Sequence, residues 1–296
     1  MTDATILIPT FRHAALLPYA IRSALTQADA SVEVFVVGDG VEDDTRAALE
    51  PFLGDERVHF FDNPKGERHG ERHRHAALQH ARGRIVCYLS DDDLLLPDHI
   101  AEQCRLLEDA DFAHSAPFYI AADGTLSYSP IDLAVPSFRG LLARGRWNHI
   151  VLTGAGHTLD AYRRLPHGWR PAPPHVWTDL HMWRQFLELP LLRARTGTRI
   201  TMLHFPDSHR QDVSVADRAA ELETWWARSR ESGFPDELAR EACEAYRRAA
   251  LRLEKQGQQL RGIVAEIEGT RTWRLRTRLV SVKPLRVLLA RRHGAP

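Results

Sequence analysis

The sequence predicts an α/β chain whose mostly parallel sheet is covered by helices on both faces, and three observations carry that reading. Apolar, β-type runs alternate with helix-period segments through the first 110 residues. Such alternation yields parallel strands joined by crossover helices. Three of the runs end in polar clusters, Pro9-Thr10, Gly38-Asp39-Gly40 and Ser90 to Asp93, which fall on one edge of the sheet. In open α/β sheets ligands bind beyond the carboxyl ends of the strands. Finally, the turn after the first run, "PTFRHA", has no glycine and no GxxxxGK[ST] occurs anywhere, which argues against a dinucleotide site and against an NTPase.

Each element follows from its residues. "TILIP" (5–9) is the first strand, and residues 14–27 are helical, with Leu17, Ile21 and Leu25 on one stripe and Pro18 in the first turn, where no backbone donor is needed. "VEVFVV" (32–37) and "RVHFF" (57–61) are β-branched or aromatic strands, with helices over 43–53 and 70–82. "RIVCYL" (84–89) is the fourth strand, and a helix over 97–109 starts at Pro97. Beyond residue 110 the pattern loosens. "FAHSAPFYI" and "TLSYS" flank the hairpin turn "AADG". Then follow loops, the Pro- and Trp-rich "LPHGWRPAPPHVW" (165–177), a helix over 178–189 with Thr178 as its N-cap, and helices over 215–231 and 235–260. The boundaries drawn are 1–110, 111–214 as the second half of the same domain, and 215–296 as a helical region with a basic tail.

The 296 residues are long enough for a large core and balance 39 Lys+Arg against 39 Asp+Glu, so overall charge gives no argument for nucleic acid. The balance hides an asymmetry: residues 271–292 carry eight basic side chains and no acid. Near an anionic membrane each could contribute about 1 kcal/mol; docking on a protein partner and plain solvation are the other readings. Cys87, Cys104 and Cys243 lack CxxC spacing and are expected as buried free thiols in a reducing compartment. No basic n-region precedes an apolar segment, and no 18-residue apolar window exists, so a cytoplasmic address is expected.

The chemistry concentrates at Asp91, Asp92 and Asp93. Three adjacent carboxylates repel unless something positive shares their space. Alternation along a strand would put Asp92 on one side and Asp91 with Asp93 on the other. Mg²⁺ or Mn²⁺ accepts one or two such carboxylates together with substrate phosphates; the competing role is favourable placement of Asp93 and Asp98 at a helix N-terminus. The His-rich "RHGERHRHAALQH" (68–80) puts His69, His73 and His80 on one helix face, but a charged loop explains it more simply than zinc.

In order, "ILIPTFRHAALLPYAIRSALTQ", "VEVFVVGDGVEDDT" and "HRHAALQHARGRIVCYLSDDDLLLPDHI" resemble the donor half of a family 2 glycosyltransferase of the GT-A fold. The resemblance covers residues 4–110 well and 111–210 loosely. It implies a donor site for a nucleotide-diphosphate sugar formed by Pro9, Thr10 and Arg12, by Asp39 at the base or ribose, by Arg74 at the base or diphosphate, and by Asp91 beside the ribose. It implies Mg²⁺ or Mn²⁺ on Asp92, supported by Asp93 and by His204, with His209 as the competing histidine. Ser90 stands where many relatives have the first acid of the metal motif, and Gly38 where an acidic pair is common. Inverting members use a carboxylate base at the start of a helix, which maps onto Asp179, here preceded by Thr178 instead of a second acid. Trp169, Trp177 and Trp183 offer a sugar platform or a core. The implied acceptor is a hydroxyl on a glycan, a lipid-linked saccharide or a small molecule. A sugar-phosphate nucleotidyltransferase and a GT-like scaffold without catalysis remain the alternatives.

Overall fold

Strand propensity and burial agree in the first half of the chain. The computed structural model describes residues 2–145 and 148–281. Strands β1 (Ala4–Thr10), β2 (Val32–Gly38), β3 (Val58–Phe61) and β4 (Ile85–Tyr88) alternate with helices α1 (Leu17–Leu25), α2 (Asp43–Leu49) and α3 (Glu71–Leu78). β5 (Leu94–Leu95), α4 (His99–Leu106), β6 (Phe112–His114), β7 (Phe118–Ile120), β8 (Leu126–Tyr128) and α5 (Pro136–Arg144) follow. Next come β9 (Ala155–Thr158), α6 (Leu159–Arg163), α7 (Thr178–Leu187), β10 (Ala194–Thr196) and β11 (Met202–Leu203). Helices α8 (Val215–Arg228), α9 (Phe234–Gly269) and α10 (Arg271–Ser281) complete the described chain.

The main sheet has seven strands in the order β10-β6-β9-β4-β1-β2-β3. β1 runs parallel to β2 and β4, and β2 to β3, while β9 is antiparallel between β4 and β6. Both faces are buried, which is why β2 is apolar at nearly every position. One layer packs Ile6, Ile8, Val34 and Val36 against Leu17 and Ile21 of α1. The other packs Leu7, Phe35 and Tyr88 with Trp169, Trp183 and Phe186 under α7. Each such fully buried side chain contributes about 1.5–3 kcal/mol of hydrophobic stabilisation. β7 and β8 form the expected hairpin, and β5 pairs with β11.

Several boundaries move for local reasons. Residues 91–92 are a turn closed by the Asp93 amide on the Ser90 carbonyl at 3.2 Å, and β5 intervenes before α4 starts at His99. Asp93 therefore cannot start that helix. The N-cap of α7 is Trp177, and Thr178 is the first helical residue. Cys87 is buried, Cys104 half-buried and Cys243 exposed, all three free. Residues 1–245 form one compact unit, so α8 belongs to it despite the boundary drawn at 215; residues 246–296 form the second. In the second unit α9 continues to Gly269 and α10 carries Arg271, Arg274 and Arg276; the basic positions from 283 onward lie outside the described residues.

Candidate active site

Parallel registry brings the three polar strand ends together. Thr10 ends β1 opposite Gly38 of β2, and the Asp39 amide donates to the Thr10 carbonyl at 3.2 Å. Next to them β4 runs into the Ser90–Asp93 turn, where the Ser90 amide donates to Thr153 Oγ1 at 2.9 Å. A cleft of about 990 Å³ opens on this edge, lined by Pro9, Thr10, Arg12, Asp39, Arg74, Asp91 and Asp92, with Asp179 across from them. Thus eight of the ten residues singled out from the sequence line one cavity, and Asp93 and His204 stand outside that lining.

Asp39 is almost fully buried and locked in place. Its Oδ2 accepts from Lys65 Nζ at 2.5 Å and its Oδ1 from the Gly66 amide at 2.6 Å. Gly70 caps α3 at φ 70°, and a Cβ there would come within 3 Å of the Asp39 side chain, so the loop can close over Asp39 only with glycine at this position.

The acidic turn divides differently from the strand alternation. Asp91 and Asp92 both face the cleft. His13 Nδ1 lies 2.9 Å from Asp91 Oδ1. That hydrogen bond raises the imidazole pKa. Asp92 Oδ2 accepts from Arg218 Nη2 of α8 at 2.6 Å, and Arg218 Nη1 reaches Asp207 at 2.9 Å. Burial, then Asp93 and Asp91, push the Asp92 carboxyl up to about 7, with His13 and Arg218 pulling it down. Asp93 turns into the core, fully buried. It accepts from Thr153 Oγ1 and from the Phe205 amide at 2.8 Å, and lies 2.9 Å from His204 Nδ1. Burial opposes charge on His204, but Asp93 outweighs it and holds the pKa up. This pair ties the turn to the strand β11.

The opposite wall is the first turn of α7. Leu180, Trp183 and Phe186 form its buried stripe, and Trp183 Nε1 donates to the Ile150 carbonyl at 3.0 Å. Asp179 sits at the positive end of this helix. Burial pushes its carboxyl up to about 6, against the pull of Arg74 and His204. Arg74 Nη1 stands 4.0 Å from Asp179 Oδ1, its guanidinium lies 4.8 Å from the Trp169 ring centre, and Nη2 donates to the His69 carbonyl at 2.9 Å. Among the described residues Arg74 Nε and Nη1 and Thr10 Oγ1 are buried without a hydrogen-bond partner; such atoms call for a ligand or water. Thr178 donates to buried Glu71 at 3.1 Å, which brings an acid of α3 to the start of α7.

A divalent ion does not fit the donors as they stand. Asp92 is engaged by a guanidinium and Asp91 by an imidazole, while Asp93 and His204 are spent on each other. Among the described residues no group of three or more His, Cys, Asp or Glu is arranged to hold a metal ion. Nor do His69, His73 and His80 share a helix face: α3 spans only Glu71–Leu78, and His73 Nε2 lies 3.0 Å from the Pro64 carbonyl. Of the tryptophans, Trp169 and Trp183 are core and Trp177 stands exposed at the cleft. His209 packs edge-on against Tyr119, 5.6 Å between ring centres.

Four residues escaped the sequence reading. Lys65 could have been found, because it follows the carboxyl end of β3, on the same edge as the other clusters. His13 lies in the quoted turn after β1. Glu71 and Arg218 carry no local signal, Arg218 being 126 residues from its partner Asp92.

A mostly parallel sheet with an acidic turn at its carboxyl edge and a second acidic wall contributed by a later helix is the GT-A architecture. Solved structures agree: S. aureus TarS residues 1–349 in complex with UDP-GlcNAc superposes with TM-score 0.53 at 13% identity, covering 77% of this chain and 66% of that one. The family model for glycosyl transferase family 2 matches residues 5–164, over half of the chain. The chain belongs to that family. It is also similar to a Campylobacter jejuni GalNAc(5)-diNAcBac-PP-undecaprenol beta-1,3-glucosyltransferase, 31% identical over 97 residues, 32% of this chain and 31% of that protein. The succinoglycan biosynthesis protein ExoO of Rhizobium meliloti is 35% identical over 111 residues, 38% of this chain and 30% of that protein. The chain thus spans about a third of the length of these two relatives.

Proposed function

We propose that the chain transfers a sugar from a nucleotide-diphosphate donor to an acceptor hydroxyl with inversion at the anomeric carbon. The observation that carries this reading is one cleft with acids on two walls and, between them, Thr10 Oγ1 and Arg74 Nε and Nη1, atoms unpartnered among the described residues. Thr10 and Asp39 hold the nucleoside and Asp91 the ribose side. Arg74 is the cation for phosphate oxygens, its planar fork suited to them. Asp179 is the base. The acceptor oxygen attacks the anomeric carbon as its proton passes to an Asp179 oxygen. The bond from that carbon to the diphosphate breaks, and its electron pair stays on the phosphate oxygen. A carboxyl of pKa about 6 is ionised at neutral pH yet basic enough to take the proton. The divalent ion expected from the resemblance has no part in this reading, because a guanidinium already pairs with Asp92 and an imidazole with Asp91.

A saccharide acceptor, free or lipid-linked, is favoured by the names of the relatives, one acting on an undecaprenol-linked glycan and one in succinoglycan biosynthesis. Exposed Trp177 at the cleft mouth suits stacking on a sugar. The acid-free basic segment from Arg271 suits an acceptor presented at an anionic membrane surface. Calorimetric titration with UDP, GDP and dTDP, followed by release of the nucleoside diphosphate from the matching nucleotide sugars, tests the proposal. One nucleotide is expected to bind and its sugars to be consumed; absence of binding by all three would sink the reading.

A further inference from the structure

The acidic turn obtains its positive charge from the chain itself. Arg218 is almost fully buried and bridges two cleft-lining carboxylates, Asp92 at 2.6 Å and Asp207 at 2.9 Å. One guanidinium between two carboxylates occupies the electrostatic role of a divalent ion, and its two-pronged geometry fixes both acids at once. Elsewhere the cleft carries further cations, of which Arg12 has Glu42 at 3.5 Å. Arg74 is buried with Nε and Nη1 unpartnered among the described residues, and its nearest carboxylate, Asp179, is 4.0 Å away. Arg12 and Arg68 both line the cleft with left-handed backbone, φ 60° each. Non-glycine residues in that conformation cost about 1–3 kcal/mol apiece and concentrate where ligands are held.

We propose that nucleoside diphosphate binds this cleft without a divalent ion, Arg218 standing in for the cation at Asp92 while Arg74 and Arg68 face the diphosphate. Arg218 is a positioning residue: it neutralises Asp92 and Asp207, so that the acids do not repel the incoming anion. This inference rests on the nucleotide-sugar reading above and concerns how the same site meets the charge of its donor.

The test is calorimetry with UDP, GDP and dTDP on the full chain, in EDTA and again in millimolar Mn²⁺, for the wild type, Arg218→Ala and Arg218→Lys. The wild type is expected to bind one nucleotide with affinities agreeing within about twofold in the two buffers. Arg218→Ala is expected to bind roughly tenfold or more weakly in EDTA, the scale of a lost hydrogen bond to a charged group, and to recover in Mn²⁺ because the freed carboxylates then need an ion. Arg218→Lys is expected to restore the insensitivity to EDTA. Thermal melts show whether each variant is folded, and the wild-type comparison stands even if Arg218→Ala is not. Wild-type affinity that collapses in EDTA overturns the inference and leaves the transferase reading intact. A folded Arg218→Ala that binds as the wild type does in both buffers also overturns it. Absence of nucleotide binding in either buffer overturns the transferase reading itself, and this inference with it.

Discussion

The two acidic walls of the cleft use one residue type with different partners. On the turn after β4, Asp91 and Asp92 are each within 3 Å of a cationic or imidazole nitrogen. On α7, Asp179 has its nearest cation at 4.0 Å and is governed mainly by burial, which lifts its carboxyl to about 6. Burial and its acidic neighbours lift Asp92 as well, to about 7, but a carboxylate held by a close cation is tied to that partner, suited to shaping a binding site. One kept loosely paired and partly desolvated can accept a proton near neutral pH. The difference lies in the neighbours and not in the aspartates.

The sharpest way to break this comparison is Asp179→Asn. Transfer is expected to fall roughly 10²–10⁴-fold with nucleotide affinity unchanged, measured by turnover beside calorimetry; equal losses in both would make the two walls alike. Next is Asp93→Ala on the turn. Removing the fully buried partner of His204, Thr153 and the Phe205 amide is expected to cost about 3–5 kcal/mol of stability, read from urea unfolding. Asp179→Asn should move stability far less. The pH profile sharpens the contrast further. Because the Asp179 carboxyl is raised, it is protonated and unable to act below about pH 6, and kcat should decline roughly tenfold per unit on the acid side. Arg74 favours the ionised carboxylate, so Arg74→Met should move that acid limb to higher pH. The smallest effect is expected from Trp177→Ala: acceptor KM rises by roughly the few-fold worth of one exposed stacking contact, with stability within about 0.5 kcal/mol of wild type.

The donor half was legible because its signals are local. β1 to β4 each announce themselves as short apolar runs, and parallel pairing then obliges Thr10, Asp39 and the Ser90–Asp93 turn to share an edge. What alternation could not give was the turn geometry. Once the chain leaves β4, the hydrogen bond from the Asp93 amide to the Ser90 carbonyl swings Asp91 and Asp92 to one side and Asp93 into the core. Thr178 misled in a similar way. A threonine before a helix reads as a cap, but its hydroxyl donates to Glu71, 107 residues away.

By itself, then, the sequence determined the strand-helix alternation, the polar edge and the acidity of both walls, since these depend on periodicity and residue type over a few neighbours. Only the tertiary structure decided which cation meets which carboxylate. Arg218 reaches Asp92, Lys65 reaches Asp39 and His204 reaches Asp93 across gaps of 126, 26 and 111 residues. Electrostatic interactions act through space with a strength set by distance and burial. Neither quantity exists until the sheet has closed and α8 has packed beside α1.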